Sequence, residues 1–65
     1  MNVVVNGEPV VLEEPCSVEQ VVRRTTAATE GVAVAVNGEV VRRAAWAMAL
    51  QPDDEVEILV ATAGG

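Results

Sequence analysis

The sequence predicts an α+β domain: a mixed five-stranded sheet with one main helix packed on one face. Three observations lead there. Five short valine-rich runs, each bounded by turn residues, read as strands. Two Asn-Gly pairs, Asn6-Gly7 and Asn37-Gly38, sit between apolar runs and mark hairpins. Only the stretch behind Ser17 carries apolar residues at helical spacing. A single helix cannot cover two sheet faces, so the economical packing sets it on one.

Along the chain, Asn2 to Asn6 is the first strand, because Val3, Val4 and Val5 are β-branched and suit a pleated surface. Asn6-Gly7 fits a type I′ turn, which needs positive φ at both positions. Val10-Val11-Leu12 then continues as the second strand. Pro9 cannot donate a ladder bond, so it belongs at the start of that strand and on a sheet edge. Pro15 turns Glu14 away from the α region. Ser17 is a good N-cap, and Gln20 three residues on completes a capping box. Cys16 and Val21 are placed to form a hydrophobic staple around that cap. Glu19 lies in the first turn, where its charge complements the helix dipole. Val18, Val21, Val22 and Thr25 share one helical face. The helix is expected over 18–29, with Gly31 as its left-handed stop.

Val32 to Val36 is the most strand-like stretch, apolar on both alternating faces. After Asn37-Gly38, Val40 and Val41 form a short strand. Arg42 to Ala47 reads as a single helical turn, and Trp46, the only aromatic residue, as core. Arg42 and Arg43 are expected to pair with acids or to touch a partner. Gln51 to Glu55 is a turn in which Asp53 or Asp54 bonds the local backbone. In the last strand Val56, Ile58 and Val60 point one way, Glu57 and Leu59 the other.

The first and last strands are expected side by side and parallel at the sheet centre. The predicted core is Val3, Val5, Val10, Leu12, Val18, Val21, Val22, Val34, Val36, Trp46, Leu50, Val56 and Ile58. The opposite sheet face would carry Val4, Val11 or Glu13, Ala33 or Ala35, and Leu59 with Glu57. That makes a shallow apolar patch with an acidic rim, which an enzyme could grip.

Composition narrows the chemistry. The 65 residues make one small domain, too short for a deep pocket with supporting shells. Histidine is absent, and with it the side chain that titrates nearest neutrality. One cysteine allows no internal disulfide and no thiolate metal cluster, and it fits a reducing, cytoplasmic setting. For Cys16 itself the staple is a sufficient role. Ten acidic residues against four arginines give a net charge of -6, the wrong sign for a reader of nucleic-acid phosphates or an anionic membrane. A basic protein surface is the better partner. Neither a signal peptide nor a membrane span is expected from the pattern.

The most informative stretch is the end. A strand running to Val60 is followed by Ala61, Thr62 and Ala63, then Gly64 and Gly65. Two glycines add no packing and have the largest backbone entropy to lose. What they offer is a thin peptide, free of Cβ atoms, that enters a narrow channel. The expected division is therefore a domain over 1–60 and a flexible tail over 61–65. The reacting group would be the Gly65 carboxylate, with Gly64 behind it. Ala61, Thr62 and Ala63 supply reach and low bulk.

These stretches together resemble the ThiS family, the sulfur carriers of thiamine biosynthesis, which are ubiquitin-like β-grasp proteins. The resemblance rests on Met1 to Glu8, on Thr25 to Gly31 leading into Val34 to Arg43 with Trp46 behind, on Leu50 to Leu59, and on Gly64-Gly65. It covers essentially the whole chain. The family often has Gly at the position of Pro52 or Asp53, and a Val-Pro-Arg where this chain has Val41-Arg42-Arg43. The first departure affects only a turn, and the second is minor.

The resemblance implies a cycle carried out on Gly65 by partners. An E1-like adenylyltransferase (ThiF-like) would use Mg-ATP to form an acyl-adenylate. A sulfur donor, such as a cysteine desulfurase or rhodanese-like protein, would leave a thiocarboxylate. A thiazole synthase (ThiG-like) would consume it. The carrier would bind no cofactor or metal and supply no catalytic group. Leu59, Glu57 and Val4 would guide docking. Three alternatives stand beside this reading. The sulfur could go to a molybdopterin precursor or another acceptor; the terminus could form isopeptide bonds, as ubiquitin-like modifiers do; or the chain could be a plain interaction domain.

Overall fold

The structure, a computed structural model, describes residues 1–61. Its strands are β1 (Asn2–Val5), β2 (Glu8–Val11), β3 (Val32–Val36), β4 (Glu39–Val41) and β5 (Glu55–Val60). The one α-helix, α1, spans Val18–Thr25, and a 3₁₀ turn covers Arg43–Ala45. The sheet order is β2-β1-β5-β3-β4. β5 is therefore central, parallel to β1 and antiparallel to β3. β2, with its proline, is an edge, as a residue without an N–H requires.

Both hairpins close through two-residue turns. Asn6 and Gly7 have φ of 50° and 83°, Asn37 and Gly38 51° and 82°. These are the positive pairs of a type I′ turn, whose twist matches that of the flanking strands. The registers follow, with Val5 opposite Glu8 and Val36 opposite Glu39. β2 begins one residue before Pro9, and Pro9 pairs with Val4. The third turn, Gln51 to Asp54, has Asp53 at φ 69°. The Asp54 carboxylate accepts the Gln51 N–H at 2.8 Å.

The core holds Val3, Val5, Leu12, Cys16, Val18, Val21, Val22, Val34, Val36, Trp46, Leu50, Val56 and Ile58. It matches the sequence expectation except that Cys16 joins it and Val10 packs at its margin, half-buried. Cys16 and Val21 are both buried members of the core. The capping box is complete: Gln20 N–H donates to Ser17 Oγ at 3.2 Å, and Ser17 N–H donates to the Gln20 side chain at 2.8 Å. The segment after the 3₁₀ turn satisfies two further N–H groups of the first helical turn. Val18 donates to Met48 O and Glu19 to Trp46 O. The start of α1 is thus filled by the protein's own carbonyls.

The helix is shorter than the expected 18–29. It ends at Thr25, and Thr26 is already extended, with φ −148° and ψ 149°. Consecutive β-branched threonines propagate a helix poorly. Here the Thr25 hydroxyl bonds back to Val21 O at 2.8 Å, and Thr26 Oγ1 accepts the Ala28 N–H at 3.1 Å. Thr25, expected on the buried face, is exposed. Gly31 accordingly does not stop the helix.

Trp46 is 3% exposed and donates its indole N–H to Val41 O at 3.0 Å. The expected acidic pairing of Arg42 and Arg43 is not observed. Arg43 donates to Thr29 O at 2.7 Å and lies 5.1 Å from the Trp46 ring centroid. Carbonyl and π-face replace the carboxylate, because Trp46 brings its ring to the arginine from the same turn. Among the described residues the one ion pair is Arg23 with Glu19, one helical turn apart.

Candidate functional site

The site grows from β5. Its alternating residues split between two faces: Val56 and Ile58 are buried under the helix, while Glu55, Glu57 and Leu59 face away. Val60, expected to follow Val56 and Ile58 inward, is 40% exposed, because the core ends before the strand does. On the open face Leu59 is opposite Ala33, and Glu57 is opposite Ala35, which in turn faces Val40 of β4. Ala33, Ala35, Val40, Glu57 and Leu59 line a shallow hollow of about 130 Å³. That is small for a metabolite pocket, which usually needs ~300 Å³ or more. It suits one or two side chains of a docking protein. Leu59 and Val40 are 70% and 79% exposed, so most of their surface remains to be covered.

Of the docking residues expected from sequence, Leu59 and Glu57 come together in this hollow. Val4 shares the open face but is half-buried and sits opposite Glu55, four residues back along β5. At about 3.3 Å per residue this separates it from Leu59 by ~13 Å. Val40 was missed. Its signal lay in the two-residue turn at Asn37-Gly38, whose register puts Val40 opposite Ala35.

Two side chains and one backbone bond hold β5 and the residue after it, and none was apparent from the residue pattern. At its start, Asn37 Oδ1 accepts the Glu55 N–H at 2.9 Å, and Asn37 Nδ2 donates to Asp54 at 2.9 Å. Midway, β1 pairs with β5 only at Val4–Glu55 and Val5–Val56 before turning away. The Asn6 side chain then stands in for the missing strand. It accepts the Ile58 N–H at 2.8 Å and donates to Ile58 O at 3.3 Å. At the end, Ala61 N–H donates to Gly31 O at 2.8 Å, one bond beyond the last strand residue. Gly31 has φ +71°, and a Cβ there would meet Ala61 O at 3.3 Å. Of the expected tail residues, Ala61 is therefore bonded to the sheet, while Thr62, Ala63, Gly64 and Gly65 lie outside the described residues. Among the described residues no cluster of His, Cys, Asp or Glu could hold a metal ion, and no helix is long and apolar enough to cross a membrane.

A central strand that runs parallel to the first and antiparallel to its other neighbour, in a five-stranded sheet over one helix, defines a class: a small ubiquitin-like β-grasp domain. The ThiS family sequence model matches residues 3–65, that is, through the final glycine. The chain belongs to the ThiS family of sulfur carriers. A crystal structure of a thiamine biosynthesis protein (ThiS) from Geobacter metallireducens is similar at TM-score 0.82 and 35% identity, with all of both chains covered. A solution NMR structure of a thiamine biosynthesis protein from the same organism gives TM-score 0.79 and 36% identity, covering all of this chain and 88% of that one. A comparison with curated proteins yields no match.

Proposed function

We propose that the Gly65 carboxylate carries sulfur as a thiocarboxylate for thiazole formation in thiamine biosynthesis. The supporting observation is the family match, which extends through the diglycine and so includes the residues on which the chemistry would occur. A carboxylate is a poor electrophile because it has no leaving group. An E1-like, ThiF-like adenylyltransferase supplies one. The carboxylate oxygen attacks the α-phosphorus of Mg-ATP, pyrophosphate leaves, and an acyl-adenylate remains. The terminal sulfur of a persulfide on a cysteine desulfurase or rhodanese-like donor attacks the acyl carbon and expels AMP, leaving an acyl disulfide. A thiol then attacks the donor's own sulfur, forms a disulfide with it and releases the thiocarboxylate. The resulting thiocarboxylate is anionic near neutral pH and a soft nucleophile for a ThiG-like thiazole synthase.

The chain's own contribution in this reading is delivery. Here residues 1–61 form the body, Ala61 being bonded to Gly31 O, and the residues after it the arm, with Gly64 and Gly65 thin enough for a narrow channel. Leu59 and Glu57, with Val40, meet the activating partner, and Val4 extends the contact along the face. The net charge of -6 steers the body toward a basic partner surface in the cytoplasm.

The test is intact mass after incubation with the activating partner, Mg-ATP and a sulfur source. Replacing O by S adds about 16 Da at the terminal carboxyl. A gain mapped to Gly65 and lost on deleting Gly65 supports the reading. An unchanged mass with a partner of proven activity refutes it, and large protein adducts would identify a modifier instead.

A further inference from the structure

The β1–β5 ladder ends in a side chain. Val4 N–H donates to Asp54 O and Asn6 N–H to Val56 O, each at 2.9 Å. The next acceptor in that series, Ile58 O, takes the Asn6 Nδ2 instead, at 3.3 Å, and the Ile58 N–H donates to Asn6 Oδ1 at 2.8 Å. By then the backbone has turned into the hairpin, with Asn6 at φ 50°. A carboxamide pairs an acceptor oxygen with a donor nitrogen, the same groups as a peptide unit. Asparagine also tolerates the left-handed region that the turn requires. Asn6 therefore supplies both the turn and one further rung of the ladder.

That rung has a specific place. The Ile58 N–H belongs to the peptide that joins it to Glu57, and the Ile58 C=O to the peptide that joins it to Leu59. Asn6 thus holds the two peptide units next to the residues that line the open-face hollow. On the far side of β5, β3 pairs with Glu57 and Leu59 directly. On this side the pairing of β1 itself stops at Val56. We propose that Asn6 is a positioning residue for docking: its side chain sets the orientation in which Glu57 and Leu59 meet the activating partner. The proposal rests on the docking role given to this face above. Asn37 provides the comparison. It holds the same position in the other hairpin turn, at φ 51°, and its side chain also makes two bonds, to the Glu55 N–H and to Asp54. Those bonds lie at the start of β5, about 13 Å along the strand from Leu59.

The experiment compares Asn6→Gly with Asn37→Gly in steady-state adenylation, with the activating partner and Mg-ATP, read as pyrophosphate release across concentrations of the full chain. Both variants keep a Gly-Gly turn, which also suits type I′. Native-state amide exchange and thermal melts accompany the kinetics. Asn6→Gly should speed exchange at the Ile58 amide about tenfold or more, as local opening of a strand end does. Its KM should rise about fivefold, the scale of having to order loosened side chains on binding. Its kcat stays at the wild-type value, because the loss falls on the ground state and the transition state alike. Asn37→Gly should lower the melting temperature by a similar amount and leave KM unchanged. Equal rises in KM for the two variants would mean general loosening of the strand and overturn the role. A wild-type KM for Asn6→Gly despite faster exchange at Ile58 overturns it too, as does a loss confined to kcat. A double-mutant cycle then asks whether Asn6 acts through the hollow. In a Leu59→Ala background, Asn6→Gly should change KM by less than about twofold; effects that simply multiply, as at independent sites, overturn the proposal. A Leu59→Ala chain with a normal KM refutes the docking reading itself, so the two failures are distinct.

Discussion

Leu59→Ala separates docking from folding. The substitution removes three carbons, each contributing about 0.8 kcal/mol when fully buried, or about 2.4 kcal/mol in total. Leu59 is 70% exposed in the free protein. About 0.7 kcal/mol of that is therefore already realised in the fold, and about 1.7 kcal/mol remains to be gained on docking. The first figure predicts a melting temperature lower by roughly 3–5 °C for a domain of this size. The second predicts a KM for the activating partner raised about 15-fold, at 1.4 kcal/mol per decade. Turnover at saturation stays near wild type, because the arm and its anchors are untouched. The assay is steady-state adenylation, read as pyrophosphate release, across carrier concentrations. A normal KM alongside the expected thermal shift would refute the assignment of this face to docking. A loss confined to kcat would move Leu59 from docking to delivery.

Two further perturbations probe how the strands are held. Trp46→Ala opens a large cavity worth about 3–5 kcal/mol, comparable with the whole stability of a domain this small, and should give an unfolded chain by circular dichroism. Trp46→Phe keeps a ring but loses the indole bond to Val41 O; a denaturant midpoint corresponding to a loss of about 1–2 kcal/mol is expected, and no loss would mean the bond contributes nothing. Asn37→Gly retains the left-handed turn but drops both side-chain bonds to the start of β5. It should lower stability by about 1 kcal/mol, with Asn37→Ala lower still because φ is 51° there. Equal stability of the Gly variant and wild type would show that only the turn matters.

Local rules account for what the residue pattern revealed. Period-two valines, two Asn-Gly turns and the Ser17–Gln20 box each act over a few residues, so the strands, the hairpin registers and the start of α1 were legible directly. The end of α1 was not. The threonines' hydroxyls compete for the backbone, and their choice depends on what else is available to it. The arginines also escaped local reading, since Arg43 meets Thr29 O and the Trp46 ring only after the chain has turned back on itself.

The sequence by itself determined the composition of the core, the alternation along β5 that exposes Glu57 and Leu59, and the diglycine ending, because these follow from residue type and period. Only the tertiary structure decided that Val40 joins Leu59, that Asn6 completes β5 where β1 leaves it, and that Gly31 anchors Ala61 instead of ending the helix. Each of those contacts joins residues far apart in the chain: Asn6 with Ile58 are separated by 52 positions. A short polar side chain or a bare glycine carries no sign of its distant partner until the sheet has brought the two strands together.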